Sequence, residues 1–370
     1  MALGGTILRE LGRVGTQIAA ARWRVMGPAQ RWLYDRKRAR VVRVTQGALP
    51  AGDEMALMLI YQPAGVLGST LFSLAWLGRQ GVVPIIVSNA PLSDADRERL
   101  AGVCHLLIER PNLGYDFGGY REGVMTLEER GIRPRALYVM NDSIWFPLRE
   151  DCDVITRARA SDADMFGLFS NAPRRGSAVT HLQSYFFRFG PRLLDSPHFQ
   201  RYWKGVELIG DKYTVIRRYE RRLTPHFTEL GFTAAAVHTR QDLTDLLLAL
   251  SDEELQQVID YQCETDQKDA ERLQLLLAKK DQFSLCRPQI ESWIRQRKIH
   301  HSYFAAHPIV LHRLGVPFLK KGGNPALPVQ RQLLRKLGLD RDFAAPVLSE
   351  IAGWDSGQPR IERDINAEQG

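Results

Sequence analysis

Several absences narrow the class of this chain before any motif is read. Its four cysteines, Cys104, Cys152, Cys263 and Cys286, stand alone, with no CxxC pair and no zinc spacing. A disulfide framework is thereby excluded, and the thiols are expected to be reduced packing residues. No apolar run approaches the ~18 residues of a membrane span, and Arg and Glu interrupt the N-terminal apolar stretches before a signal-peptide core of about seven residues can form. The protein is therefore expected to work inside the cell. Internal repeats, low-complexity tracts, zinc-finger, RNP and helix-turn-helix spacings are also missing, which leaves nucleic-acid binding without a carrier.

What remains is ordinary globular composition. With 370 residues, 44% hydrophobic and 25% charged, the chain has room for two or three domains with real cores. Its formal charge of +8 is concentrated at one end: residues 1–45 carry ten Lys and Arg against Glu10 and Asp35, so the remaining 325 residues are neutral. Residues 5–34 set Ile7, Leu8, Leu11, Val14, Ile18, Trp23, Trp32 and Leu33 among arginines. That pattern reads as a basic amphipathic helix lying on an anionic membrane surface, or as a solvated helix packed on the protein's own body.

From residue 55 to 145, short β-rich runs alternate with helical ones, the pattern of a parallel sheet covered on both faces. Strands are expected at 56–61, 82–88, 105–109 and 136–140, a helix at 66–79, and another opened by the Ser93–Asp96 capping box. From about Thr239 the pattern is helical, with a capping box at Ser251–Glu254 and a Gly/Pro-rich loop at 320–328. The expected organisation is a basic segment at 1–45, a doubly wound α/β domain at 46–235 and a helical region at 236–370, with a poorly ordered tail.

Ligands of an open α/β sheet bind beyond the carboxyl ends of its strands. The residues there are Tyr61, then Asn89, then the loop Asn112-Leu113-Gly114-Tyr115-Asp116 with Gly118, Gly119 and Gly123, then Asn141-Asp142-Ser143. The glycine spacing fits neither GxGxxG nor a Walker loop. Glycines at this density let backbone approach a ligand, or let a helix pack tightly on the sheet. Asp142 directly after an apolar strand suits a divalent ion, Mg²⁺ or Mn²⁺, that is already carried by a diphosphate, or it caps a turn. Further on, His181, Gln183 and Ser184 precede the aromatic strand Tyr185–Phe189. Glu220, among Arg217, Arg218, Arg221 and Arg222, is a carboxylate that a positive field would keep ionised, or one member of a solvated ion-pair face. Four later histidines, His300, His301, His307 and His312, lack metal-ligand spacing and read as structural.

These strand ends, IIVSNAPLSD at 85–94, ERPNLGYDFGGYREG at 109–123 and YVMNDS at 138–143, resemble the nucleotide-sugar site of GT-A type family 2 glycosyltransferases. More closely, NLGYDFGGY, MNDSIWFPL and HLQSYFFRF resemble the rhamnan synthesis F family of bacterial polysaccharide assembly proteins, over about residues 55–325. Asn89 stands where family 2 has Asp, and Asn141-Asp142-Ser143 replaces Asp-x-Asp. The resemblance implies a GT-A-like fold and transfer of rhamnose or another deoxyhexose from a nucleotide sugar to a growing cell-surface polysaccharide, such as lipopolysaccharide O-antigen, or to a lipid-linked glycan. It implies a donor side of Tyr61, Asn89, Asn112, Gly114, Tyr115, Asp116 and Asn141. His181, Gln183 and Ser184 form the acceptor side, Glu220 and Asp142 are the catalytic carboxylates, and Asp142 is the ligand of a divalent cation. Lys320-Lys321 would reach phosphate on the likeness of the segment to a family ending. The expected setting is the inner face of the cytoplasmic membrane, reached through residues 1–45. The alternative is a non-catalytic scaffold of a polysaccharide assembly complex.

Overall fold

The computed structural model describes residues 22–23, 26–171, 181–278, 283–296, 298–299 and 301–356. Residues 1–21 and 24–25, which hold much of the basic segment, lie outside the described residues, as do the expected disordered tail, His300 and the start of the segment leading into His181.

Eleven strands are described: β1 Arg43–Gln46, β2 Glu54–Ile60, β3 Val83–Ser88, β4 Leu106–Glu109, β5 Ala136–Asn141, β6 Ile144–Trp145, β7 Met165–Asn171, β8 His181–Leu182, β9 Phe186–Phe189, β10 Ala234–Thr239 and β11 Leu319–Lys320. The main sheet runs β1-β4-β3-β2-β5-β9-β7-β10, with β8 beside β7, and a separate ribbon pairs β11 with β6. Strands β4, β3, β2 and β5 are parallel neighbours, as are β7 and β10, while β1 and β9 run antiparallel. The α/β class, the mainly parallel sheet and the four expected central strands are all present.

The side-chain alternation of β2 shows why both faces must be covered. Ala56, Met58 and Ile60 belong to one core with Phe72, Tyr138 and the C-terminal helices. Met55, Leu57 and Leu59 belong to the other, with Phe117, Tyr120 and Trp203. Successive residues of a strand point to opposite faces, so a strand buried on both is apolar throughout. Ser93 and Ser251 cap helices Asp94–Ala101 and Asp252–Thr265, each Oγ accepting from the backbone N–H three residues on, and at Ser251 the Glu254 carboxylate completes the capping box by accepting from the Ser251 N–H.

Three differences have physical reasons. β10 runs across the expected boundary at 235/236, and helices out to Ala345–Asp355 share one core with β2 and β5, so the helical region is packed onto the α/β unit. The expected loop at 320–328 begins inside β11, because Leu319 and Lys320 pair with Trp145 and Ile144. The glycines of NLGYDFGGYREG serve packing more than ligand approach. A Cβ on Gly119 would stand 2.4 Å from Leu59 Cδ1, one on Gly123 2.0 Å from Leu57 Cδ1, and one on Gly118 2.0 Å from the Leu113 carbonyl. Helix Tyr115–Glu129 therefore lies on β2 at a depth only glycine permits.

The described part of the basic segment is a helix over 26–41 that is clamped to this body. Arg121 reaches Asp35 with two parallel bonds of 2.8 Å, Arg38 Nε donates to Glu122 at 2.6 Å, and Arg38 also pairs with Glu129. No helix among the described residues is long and apolar enough to cross a membrane.

Gly118→Ala meets backbone, whereas an exposed helical Gly78→Ala meets nothing within 4 Å. Urea unfolding should show the first destabilised by about 1–3 kcal/mol, as for overpacking, and the second neutral or stabilised by about 0.5–1 kcal/mol.

Candidate functional site

The carboxyl ends of β2, β3, β4 and β5 converge where parallel strands leave their ligand crevice. At the end of β5, Asp142 Oδ2 accepts from the Tyr61 backbone N–H at 3.0 Å and from Gln62 Nε2 at 3.1 Å. Gln62 is itself fixed, donating to Thr70 Oγ1 at 2.7 Å and accepting from the Leu67 N–H at 2.9 Å. Asn141 Nδ2 donates to Asp116 Oδ2 at 2.9 Å, and Asn141 Oδ1 accepts from the backbone N–H and the hydroxyl of Ser143 at 3.0 and 2.5 Å. The expected residues Tyr61, Asp116, Asn141 and Asp142 are thus brought together.

The loop after β4 is held by a hub. Arg110, 3% exposed, gives Nη1 to Asn89 Oδ1 at 2.7 Å, Nη2 to the Leu113 carbonyl at 2.6 Å and Nε to the Tyr34 hydroxyl at 3.2 Å. Asn89 Nδ2 in turn faces Asn112 Oδ1 at 3.2 Å and the Tyr115 carbonyl at 3.3 Å. The backbone inside these contacts is strained, with Gly114 at φ 77° and Tyr115 at φ 49°. A left-handed Tyr costs on the order of 1–3 kcal/mol and persists because its surroundings hold it. Asn89 and Asn112 are thereby occupied as struts of the loop.

Glu220 arrives from the other side of the crevice. It ends a π-helical turn, Ile216–Glu220, and Pro225 in the following helix has no N–H to return to the Arg221 carbonyl, which favours the wider turn there. Tyr219 anchors the turn, stacked on Phe117 at 5.6 Å with its hydroxyl accepting from the Glu207 N–H at 2.8 Å. Burial pushes the Glu220 carboxyl above its ordinary value, against the opposing charge of Lys320 and a hydrogen bond with Ser184; Asp116 adds to the rise and Arg221 opposes it. The expected field of arginines is therefore not what sets this group. Arg218 is spent on Glu207 at 2.9 Å. Asp211 caps its own helix, accepting from the Thr214 N–H at 2.7 Å.

Tyr120 joins the two sides. Its hydroxyl donates to the Ser184 carbonyl at 2.9 Å, and burial, with Asp116, Glu220 and Asp142 nearby, raises its pKa well above the ordinary value. His181 is pushed down to about 4 by burial and the Arg221 charge, so it is neutral near pH 7. Gln183 Nε2 lies 3.5 Å from His181 Nε2. Of the residues expected on the acceptor side, Ser184 hydrogen-bonds Glu220.

Gln62, Tyr120 and Lys320 complete the site. Gln62 was visible as the residue after Tyr61 at a strand end, and Tyr120 as the aromatic four residues after Asp116 on one helix face. Lys320 needs the fold: β11 carries its Nζ to 3.1 Å from Ser143 Oγ and 5.0 Å from the centre of the Tyr185 ring. Lys321 points away, paired with Glu350 at 2.7 Å. His307 is an N-cap, accepting from the Ile309 N–H, and His301 is buried, as structural histidines should be.

A divalent ion such as Mg²⁺ or Mn²⁺ would have to be held by these donors. Asn141 Oδ1 already accepts two bonds from Ser143, Asp142 Oδ2 accepts two N–H groups, and the Lys320 ammonium beside Ser143 repels a divalent ion. Among the described residues no three His, Cys, Asp or Glu converge on a metal position. Among the described residues the side chains alone complete no metal position, so a dication at Asp142 would have to arrive with the phosphates of a nucleotide.

Comparison with known proteins gives several likenesses. Among solved structures, core-mannan synthase A (CmsA/Ktr4) from Aspergillus fumigatus in its Mn/GDP form is 11% identical, with TM-score 0.26 over 42% of this chain and 64% of that one. The mannosyltransferase Ktr4p from S. cerevisiae is 10% identical, with TM-score 0.27 over 49% and 67%. The virulence protein VirA of Vibrio anguillarum is 28% identical over 161 residues, 42% of this chain and about half, 49%, of its own length. Protein y4gN of Sinorhizobium fredii is 35% identical over 350 residues, 94% of this chain and 91% of that one. The family model described as rhamnan synthesis protein F matches residues 84–263, which span β3 to Glu220 and beyond. Matched by that model over residues 84–263 and aligned nearly end to end with a relative 35% identical, the chain belongs to the rhamnan synthesis protein F family.

Proposed function

We propose that this protein is a glycosyltransferase of GT-A type that moves rhamnose or another deoxyhexose from a nucleotide sugar to a growing cell-surface polysaccharide or lipid-linked glycan. One observation carries the reading: the charges of Asp116, Asp142 and Glu220, from three separate segments, all act on Tyr120 at the carboxyl edge of a parallel sheet, and that of Lys320 acts on Glu220. The family's description supports the substrate class.

In the proposed reaction an acceptor hydroxyl attacks the anomeric carbon. The bond from that carbon to the diphosphate oxygen breaks, its electron pair leaves with the diphosphate, and Glu220 takes the hydroxyl proton. A base works best with a pKa near the working pH, so burial of Glu220 tunes it toward its task. Asp116 and Asn141 bind donor hydroxyls, and Ser184 aligns Glu220 for an acceptor bounded by His181 and Gln183. Lys320 faces the departing diphosphate, whose charge three nearby carboxylates would otherwise repel.

Exposed Trp32 and Leu33, 58% and 46% accessible, with Arg36 over the Trp32 ring, support seating of helix 26–41 on the inner face of the cytoplasmic membrane. Such a surface would bring the site to a lipid-linked acceptor.

Folded Glu220→Gln should lose about 10²–10⁴-fold in turnover of nucleotide sugar. In the unaltered protein kcat/KM should fall as pH drops through the raised Glu220 pKa, because the base is then protonated. His181, neutral above about pH 4, should add no limb between pH 5 and 8. Turnover unchanged in Glu220→Gln sinks the base assignment. Titration calorimetry with UDP, GDP and dTDP in EDTA should detect one that binds, with Lys320→Met weakening it by about tenfold or more; binding that needs Mn²⁺ and ignores Lys320→Met would overturn that role. Trp32→Ala/Leu33→Ala should lower sedimentation with phosphatidylglycerol vesicles, and equal sedimentation of both forms would remove the membrane assignment.

A further inference from the structure

The helix over 26–41 has a role in the site that its charge does not announce. Tyr34 is its deeply buried aromatic, 4% exposed, and its hydroxyl is doubly engaged, donating to Glu122 Oε2 at 2.5 Å and accepting from Arg110 Nε at 3.2 Å. The Arg110 guanidinium also lies over the Tyr34 ring, 5.5 Å from its centre. All three nitrogens of Arg110 are then spent: Nε on Tyr34, Nη1 on Asn89, Nη2 on the Leu113 carbonyl. Arg110 therefore holds its own loop. Through Asn89 the hub reaches Asn112 and the Tyr115 carbonyl, which flank the left-handed pair Gly114 and Tyr115. Asp116, the next residue, meets Asn141 at the end of β5.

We infer that Tyr34 is a positioning residue of the donor site: through Arg110 and Asn89 it holds the strained Asn112–Asp116 turn in its binding conformation, so helix 26–41 is one wall of the site and sets its affinity for the nucleotide sugar. A guanidinium has five fixed N–H donors and cannot shed its charge, so an Arg110 that loses its Nε partner in a buried place must find another. The nearest carbonyls and amides are those of the loop, and a shift there relaxes a turn that is unfavourable on its own. Glu122, the second partner of Tyr34, is also held by Arg38, which ties the strut to the body of the helix. Removing residues 1–45 would thus unseat the donor loop as well as any surface anchor.

The inference rests on the donor reading above, and its test has one arm that does not. Tyr34→Phe keeps the ring and removes both hydroxyl bonds. Asp35→Asn weakens the bidentate clamp to Arg121 on the same helix and leaves the hub untouched. Hydrogen–deuterium exchange without nucleotide should show amides of 112–118 exchanging about tenfold faster in Tyr34→Phe, roughly one hydrogen bond's worth of protection, and unchanged in Asp35→Asn. Steady-state kinetics should show Tyr34→Phe with the donor KM raised about tenfold and kcat within about twofold, since the loop binds donor and carries no proton. Equal exchange in Tyr34→Phe and the unaltered protein overturns the inference, and so does an equal rise of exchange or KM in Asp35→Asn, which would mean general loosening. If exchange responds as expected while no nucleotide sugar binds or turns over, the strut stands and the donor reading falls.

Discussion

The depth at which helix Tyr115–Glu129 lies on β2 governs everything above it. Gly119 and Gly123 let the helix backbone sit against Leu59 and Leu57, and Gly118 packs on the carbonyl of Leu113. Because the helix cannot ride higher, Asp116 in its first turn stands level with Asn141, and Tyr120 one turn later reaches Ser184. The opposite flank of the same helix offers Arg121, Glu122 and Glu129 to the segment over 26–41. One close contact thus registers the loop after β4, the segment carrying Ser184 and the N-terminal helix against a single strand.

The electrostatics follow from that crowding. Three carboxylates near one buried phenol are costly unless something offsets them. The offsets are specific: Gln62 and a backbone N–H for Asp142, the Asn141 amide for Asp116, and Ser184 with Lys320 for Glu220. The ammonium of Lys320 sits on a two-residue strand, fixed by pairing with Ile144. Alternation along that strand sends Lys321 the other way, into an ion pair with Glu350. Two adjacent lysines of the same chemistry therefore take different duties.

Much of the fold could be read from the chain, and the reason is periodicity. β2, β3, β4 and β5 are buried on both faces and read as unbroken apolar runs, and the helix caps at Ser93 and Ser251 are local hydrogen-bond arithmetic. β10, only half-apolar in exposure, and β11, two residues long, gave no such signal. Of the site, the strand-end residues Tyr61, Asp116, Asn141 and Asp142 were legible because topology alone puts them at one edge. The strut duty of Asn89 and Asn112 was not, because an amide looks the same whether its partner is a ligand or Arg110.

The amino-acid sequence by itself determined the class of sheet, the charge confined to one end, and the carboxylates and glycines ordered along the strand ends, since each is a property of neighbouring residues. Tertiary structure alone decided which glycines face leucine side chains, what buries Glu220, that Tyr34 meets Arg110 and that Lys320 meets Ser143. Ser143 and Lys320 are 177 residues apart in the chain and 3.1 Å apart in space. Contacts of that kind depend on how two cores close around a sheet, which no local pattern encodes.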